Sequence, residues 1–362
     1  MALLIAELFL RFIYNPFETR VRADRIILPV SRTYTYENDK NFKGIDDIIT
    51  HTKNSLGFRG PELPLDSPIT IITIGGSTTE GVYLSDGKDW PAQLATALGE
   101  GYWVNNAGLD GHSTFGHTIL MQDYIIPLAY KPDIVIFLVG VNEIGRPGFD
   151  EHERESVQLG ISFSSKEGLV KSLASYSELA SIGLNYFRYL RARERGLPHV
   201  EFDLGAMPKT DASYERVLEE FGYPYLENYH LRLTKLISLT TGAGIVPVLI
   251  TQPYLWGDTT DRTTGLYLGD ILVGNFGGPL SSFGAWSLLE LYNDVTRKVG
   301  LAESILVIDL ARELPKDSRL FYDSVHFSNA GAEKVAEILK QGLRESGVLK
   351  VQVERSSAGR EK

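Results

Sequence analysis

Five short runs of apolar, largely β-branched residues punctuate the chain: Ile69 to Ile74 (ITIITI), Tyr102 to Asn105 (YWVN), Asp133 to Val139 (DIVIFLV), Ile245 to Thr251 (IVPVLIT) and Ile305 to Leu310 (ILVIDL). Each is bounded by Gly, Pro or Asp, and each predicts a buried strand. Between them Trp90 to Leu98, Thr118 to Ile126 and Tyr225 to Leu239 carry helical patterns. After the last strand Ala332, Val335, Ala336, Leu339 and Leu343 recur at helical spacing. Strands alternating with helices predict an α/β chain whose parallel sheet is covered on both faces. Such sheets hold their ligands beyond the carboxyl ends of the strands, so the residues after each strand are where chemistry is to be sought.

The start of the chain follows a different pattern. Met1 to Ile13 (MALLIAELFLRFI) is mostly apolar but interrupted by Glu7 and Arg11. It is shorter than the roughly 20 apolar residues that a bilayer crossing needs. No basic region precedes it and no small-residue cleavage site follows, as an intact signal peptide would require. Three readings are compatible with it: a helix docked on the core or lying on a membrane surface, the remnant of a longer signal anchor, and an oligomer contact. A membrane-associated or extracytoplasmic address is thereby favoured over a cytoplasmic one. At the other end, Val351 to Lys362 (VQVERSSAGREK) has too little apolar surface to fold alone.

Composition narrows the functional classes. The 362 residues are 43% hydrophobic and 23% charged, the usage of a soluble globular chain long enough to bury a substantial core. Thirty-six Lys and Arg against 46 Asp and Glu leave a net charge of −10, which opposes nonspecific attraction to nucleic acid, and no nucleic-acid partner is expected. The absence of Cys excludes disulfides, thiolate metal sites and a cysteine nucleophile.

After the first predicted strand comes Gly75-Gly76-Ser77-Thr78-Thr79-Glu80-Gly81. The two glycines let the chain turn sharply out of the sheet and bring the Ser77 hydroxyl to the crevice. The same residues also allow a capping box between Ser77 and Glu80, or a turn that cradles phosphate. Ser77 stands where the second glycine of a dinucleotide fingerprint would be, and no Gly-Lys-Ser/Thr follows. Thr79 replaces the last glycine of the G-x-S-x-G elbow. The second strand leads into Asn105-Asn106-Ala107-Gly108-Leu109-Asp110-Gly111-His112-Ser113-Thr114, and the third into Gly140-Val141-Asn142-Glu143. Phe321-Tyr322-Asp323-Ser324-Val325-His326-Phe327-Ser328 precedes the last helix. A serine nucleophile needs a base, which His326 can supply if a carboxylate such as Asp323 fixes its tautomer and stabilises the imidazolium. An oxyanion needs uncharged donors, for which a glycine N–H at Gly111 and the amide of Asn142 are suited.

These four blocks, in this order, resemble the SGNH hydrolases, the GDSL-type lipase and esterase family. Gly75-Gly76-Ser77-Thr78 matches the nucleophile block, Gly111 the oxyanion glycine, Gly140 to Glu143 the asparagine block, and Asp323 to His326 the final Asp-x-x-His. Gly76 stands where many members have Asp, and Glu143 where most have Asp. The resemblance implies a three-layer α/β/α, flavodoxin-like fold with a five-stranded parallel sheet in the order 2-1-3-4-5. It also implies ester hydrolysis without metal or other cofactor: catalytic Ser77, Asp323 and His326, with an oxyanion hole made by the N–H groups of Ser77 and Gly111 and the amide of Asn142. It covers roughly residues 66–345, with an insertion at about 146–240, an N-terminal arm at 1–65 and a polar tail at 346–362. Within the arm, Asn54-Ser55-Leu56-Gly57-Phe58-Arg59-Gly60 resembles a segment of a bacterial subgroup that often follows a membrane-anchoring helix. The plainer reading is an arm packed along the sheet edge with Arg59 paired to a carboxylate.

Two long connections remain. Glu143 to Gly244 exceeds what one crossover helix requires. Within it Leu169 to Arg195 has imperfect helical periodicity, compatible with a helical cap or with a peripheral helical pair. His152, His199 and His230 lack paired ligand spacing and read as surface or satisfied core residues. The second connection begins Gln252-Pro253-Tyr254-Leu255-Trp256 and is rich in aromatics, with Tyr267, Phe276 and Trp286 further on. Tyr254 and Trp256, together with His112 beside Gly111, are the candidate substrate contacts; packing is the alternative role for each. The substrate expected is a small ester or an acylated carbohydrate, cleaved at a short acyl or O-acetyl group. A polysaccharide O-acyltransferase would share the chemistry as far as the acyl-enzyme. A noncatalytic carbohydrate-binding or scaffold protein would keep the fold without turnover, against which the intact Ser, Asp and His argue.

Overall fold

The computed structural model describes residues 2–12, 21–22, 25–26, 28, 30–39, 41–63, 69–146, 173, 177–180, 182–183, 186, 199, 203–275 and 278–349. The five apolar runs form one sheet: β1 (Ile69–Gly75), β2 (Tyr102–Asn106), β3 (Ile134–Val139), β4 (Val246–Thr251) and β5 (Leu306–Ile308). All pairings are parallel and the order is β2-β1-β3-β4-β5, the order the resemblance implies. Every residue of β1 and β3 is buried, as strands in the middle of a sheet covered on both faces must be. At the edge, Leu306 and Val307 of β5 are half-buried. The β1–β3 register is pinned at its start by Asp133, whose carboxylate accepts from the Thr70 N–H and hydroxyl, both at 2.8 Å.

The helices that matter for the site are α1 (Ser77–Glu80), α2 (Trp90–Leu98), α3 (Thr114–Leu120), α4 (Tyr223–Gly242), α5 (Ser282–Ala302) and α6 (Asn329–Glu345). Helix α2 packs with α6, whereas α3 and α5 each pack against α4, which gives the two outer layers. Capping fixes where several begin: Asp89 accepts from the Ala92 N–H, Ser281 from Gly284 and Ser328 from Gly331. Helix α6 buries Ala332, Val335, Ala336, Leu339 and Leu343, the stripe expected from their spacing. The helix expected from Thr118 instead begins at Thr114 and winds on through Met121–Ile125 in wider turns.

The chain divides into two compact units. Residues 30–147 and 199–362 form one compact unit, and 1–29 with 148–198 form another. The arm of 1–65 is therefore split. Its second half forms an antiparallel hairpin, Arg32–Glu37 with Ile48–Lys53, and then Arg59 exchanges backbone hydrogen bonds with Asn106 at 2.9 and 2.8 Å, adding to the edge of β2. Within the insertion expected at 146–240, α4 packs on β4 as a crossover helix does. In the smaller unit, Glu7 of the helix Ala2–Phe12 accepts from the Ser177 hydroxyl (2.9 Å) and the N–H groups of Glu178 (2.8 Å) and Leu179 (3.2 Å). Leu3, Leu4, Ile5, Leu8 and Phe9 of that helix are exposed. Among the described residues no helix is long and apolar enough to cross a membrane. His152, Phe276, most of Leu169 to Arg195 and the tail from residue 351 lie outside the described residues.

Candidate active site

The turn that carries Ser77 is shaped by what lies against it. A Cβ built on Gly76 would fall 2.2 Å from Asn142 Nδ2, and one on Gly108 would fall 2.4 Å from the Glu80 nitrogen. Glycine at both positions lets the loops after β2 and β3 close on the turn after β1. The Ser77–Glu80 capping box does not form: Gly76 is the residue before α1, and no side chain caps the helix. The buried Glu80 carboxylate instead accepts from the Asp110 N–H at 2.7 Å and pairs with buried Lys53 at 3.4 Å. Arg59, also buried, donates to the carbonyls of Glu80 and Gly81 (2.7 Å each) and Leu84 (2.8 Å), and lies 3.4 Å from Asp86 and from Asp89. The segment before the first core strand thus grips the end of the turn that carries Ser77, satisfying carbonyls that a short helix leaves open.

With Glu80 engaged elsewhere, the Ser77 hydroxyl meets His326: Oγ lies 2.7 Å from Nε2. On the other edge of the ring, Nδ1 lies 2.6 Å from Asp323 Oδ2. The second Asp323 oxygen accepts the backbone N–H groups of Val325 (2.9 Å) and His326 (2.8 Å), so the carboxylate is oriented by its own loop. All three side chains are buried. Tyr322, next to Asp323, is buried too. Burial, and then the Asp323 charge, push its phenol well above the ordinary value, so it adds no charge beside Asp323 and His326.

Asn142 donates from Nδ2 to the His112 carbonyl at 3.0 Å, with the same nitrogen against Gly76. Gly111 sits at φ +71° with open space around the position of a Cβ, a conformation that favours glycine. Among the described residues the N–H groups of Ser77 and Gly111 have no acceptor. Two groups not anticipated from the sequence brace these loops. Arg146 donates from Nε to the Asn142 carbonyl (2.5 Å) and from Nη2 to the Gly111 carbonyl (3.3 Å). Arg232 of α4 pairs with Glu143 at 2.9 Å, while Glu143 also accepts from the Thr114 N–H (2.5 Å) and hydroxyl (3.0 Å). The Glu143 side chain ties the loop after β3 to the start of α3 and to α4.

The candidate substrate contacts are placed differently from one another. Trp256 is 1% exposed and packs in the interior, the packing role weighed for it, with its ring 6.3 Å from that of Tyr254. His112 is buried with its ring against Gly116, so what it presents to the site is the carbonyl held by Asn142. Its neighbour His117 is kept neutral, since burial and then His112 hold its imidazole well below the ordinary value. Tyr254 is half-buried, and burial pushes its phenol up to about 12. Its loop is fixed to the triad loop by the Leu255 N–H on the Ser324 carbonyl at 2.9 Å, and the Tyr254 carbonyl accepts from Lys316. His199, expected to be an ordinary surface or core residue, lies instead on the His326 ring, with centroids 3.9 Å apart. His199, Asp323 and His326 bring ligating atoms within 4.8 Å of one another. A cation drawing on all three would compete with the hydrogen bonds that His326 and Asp323 make with each other and with Ser77, and with the contact of His199 to the Tyr322 hydroxyl.

The model of the GDSL-like Lipase/Acylhydrolase family matches residues 73–334. Over 111 residues the chain is 31% identical to an acetylxylan esterase of Xylanibacter ruminicola; that match covers 28% of this chain and 22% of the relative, so only about a fifth of the relative's length is spanned. An acetyl xylan esterase from Geobacillus stearothermophilus is 16% identical, with a TM-score of 0.39, over 78% of this chain and 96% of its own. A member of the lipolytic protein G-D-S-L family from Veillonella parvula is 14% identical, with a TM-score of 0.38, over 76% and 96%.

Proposed function

Because the chain belongs to the GDSL-like Lipase/Acylhydrolase family, we propose that it is a serine esterase that releases short acyl groups, O-acetyl groups on carbohydrate above all, through an acyl-enzyme at Ser77. The observation that carries this reading is the unbroken hydrogen-bonded line Ser77–His326–Asp323, with contacts of 2.7 and 2.6 Å. With Nδ1–H donated to Asp323, Nε2 holds the lone pair that takes the Ser77 proton as Oγ attacks the ester carbonyl. The oxyanion is received by the N–H groups of Ser77 and Gly111 and by the Asn142 amide, whose second hydrogen is not needed by the His112 carbonyl. His326 then gives the proton to the leaving alcohol, and the same geometry activates water for deacylation. Tyr254, anchored beside the triad loop, is the remaining candidate to line the acyl or sugar side of the crevice.

The acetyl and carbohydrate preference draws on the likeness to the Xylanibacter ruminicola acetylxylan esterase. It is tested by acetate release from acetylated xylo-oligosaccharides, compared with p-nitrophenyl acetate and a long-chain p-nitrophenyl ester. Turnover of both acetyl substrates, lost in Ser77→Ala, is expected. Hydrolysis of the long-chain ester alone would overturn the substrate class, and undiminished turnover by Ser77→Ala would overturn the mechanism.

A further inference from the structure

We infer that His199 is a positioning residue for the base of the triad, an inference that rests on the Ser77–His326–Asp323 reading above. The two edge contacts of His326 fix where its nitrogens lie, and neither covers a face of the ring. His199 does. Its ring stacks on His326 with centroids 3.9 Å apart and planes inclined by 25°. Its own Nδ1 lies 2.6 Å from the Tyr322 hydroxyl, and the Tyr83 ring stands 4.9 Å away at 60°. Tyr322 in turn lies nearly parallel to His326, 5.5 Å off at 8°, one residue before Asp323. Phe42, from the loop of the N-terminal hairpin, packs on Tyr83 at 5.0 Å and on Tyr322 at 4.8 Å, closing an aromatic box beside the triad.

Such a box does two things for a base. It holds the plane of His326, so that the Nε2 lone pair stays aimed at Ser77 Oγ, and misdirection of a reacting group is costly. It also keeps water from one face of the ring, so that the imidazolium formed during attack feels the Asp323 charge with little screening. A structural aromatic would give stability alone; a ring laid on the base also sets the turnover rate.

The test compares His199→Ala, which removes the ring, with the double variant His199→Phe/Tyr322→Phe, which keeps a ring on His326 and leaves neither partner of the Tyr322 hydrogen bond unpaired. Active sites are counted with excess fluorophosphonate so that misfolded protein does not enter the rates. For His199→Ala we expect kcat on p-nitrophenyl acetate to fall about tenfold with KM within about twofold, the rate of fluorophosphonate labelling falling by the same factor. The double variant should recover most of kcat. A wild-type kcat in His199→Ala, or a double variant as impaired as His199→Ala, overturns the inference. Ser77→Ala is measured alongside: if it retains turnover the triad reading itself fails, whereas an inactive Ser77→Ala beside an unimpaired His199→Ala removes the role of His199 alone.

Discussion

Gly76 has no side chain because Asn142 stands in the space that one would need, with Nδ2 at 2.2 Å from the Cβ position. Its φ of −83° lies outside the left-handed region, and the requirement seen here is the steric one. In this chain the departure from the Gly-Asp-Ser pattern and the placement of the Asn142 amide are one fact. Gly76→Ala should therefore push Asn142 from its position and mimic Asn142→Ala, each lowering kcat by something on the order of a hundredfold while Ser77 remains reactive toward a fluorophosphonate. Steady-state kinetics of the two variants and their combination check this. The double variant should be no worse than either single one, and a fully active Gly76→Ala would show that Asn142 is not held by this contact. At this scale the sequence revealed the residues whose chemistry is unusual for their position, such as Ser77, Asp323 and His326. It concealed those that act through long side chains from distant segments, because Arg146, Arg232 and His199 have no local signature. Glu80 misled for the same reason: three residues after a serine it looks like a cap, and only the fold brings Lys53 and the Asp110 N–H to it.

The elements that carry the site are loops, and each is anchored from its flank. The loop that delivers Asp323 and His326 begins at Asp317, whose carboxylate accepts from Arg319 Nε (3.1 Å) and Nη2 (2.7 Å) and from the Thr263 hydroxyl (2.6 Å). Arg319, helped by Thr263, holds the Asp317 carboxyl down to about 2. A carboxyl depressed in the folded state contributes stability above its unfolded value, and that contribution is lost as pH falls through the folded value. Asp317→Asn should thus cost about 1–2 kcal/mol at pH 7, a difference that closes between about pH 4 and pH 2. Urea denaturation of the two proteins across that range measures it. An equal difference at pH 7 and pH 2 would mean that the carboxylate charge does not hold the loop. The strands were legible because burial on both faces demands apolar β-branched residues; Trp90 to Leu98 was legible from its helical pattern, and Asp89 and Pro91 fix its start in the fold. The hairpin Arg32–Glu37 with Ile48–Lys53 was missed although Tyr34 and Tyr36 alternate, since one half-buried pair of strands leaves only a short signal. Helix α5 was missed within a Gly-rich, aromatic connection, although Ser281 and the Leu288, Tyr292, Val295 and Val299 stripe mark it.

For the molecule as a whole, topology does what local sequence does not. Ser77 and His326 are 249 residues apart, and they meet because β1 and β5 run parallel, so that the chain leaves both strands at the same end of the sheet. Four short motifs behind four strands could be read as one crevice from the sequence because a parallel sheet leaves that single arrangement open. The aromatic box of Phe42, Tyr83, His199 and Tyr322 could not, because it gathers side chains from four separate segments. The central claim is that a hydroxyl, an imidazole and a carboxylate act as a unit, and the kinetics of fluorophosphonate labelling test it most directly. Wild-type protein should take up one adduct, located on Ser77 by peptide mass spectrometry, and His326→Ala should label at least a hundredfold more slowly. An adduct on another residue, or labelling of Ser77 at the same rate without His326, would contradict the account.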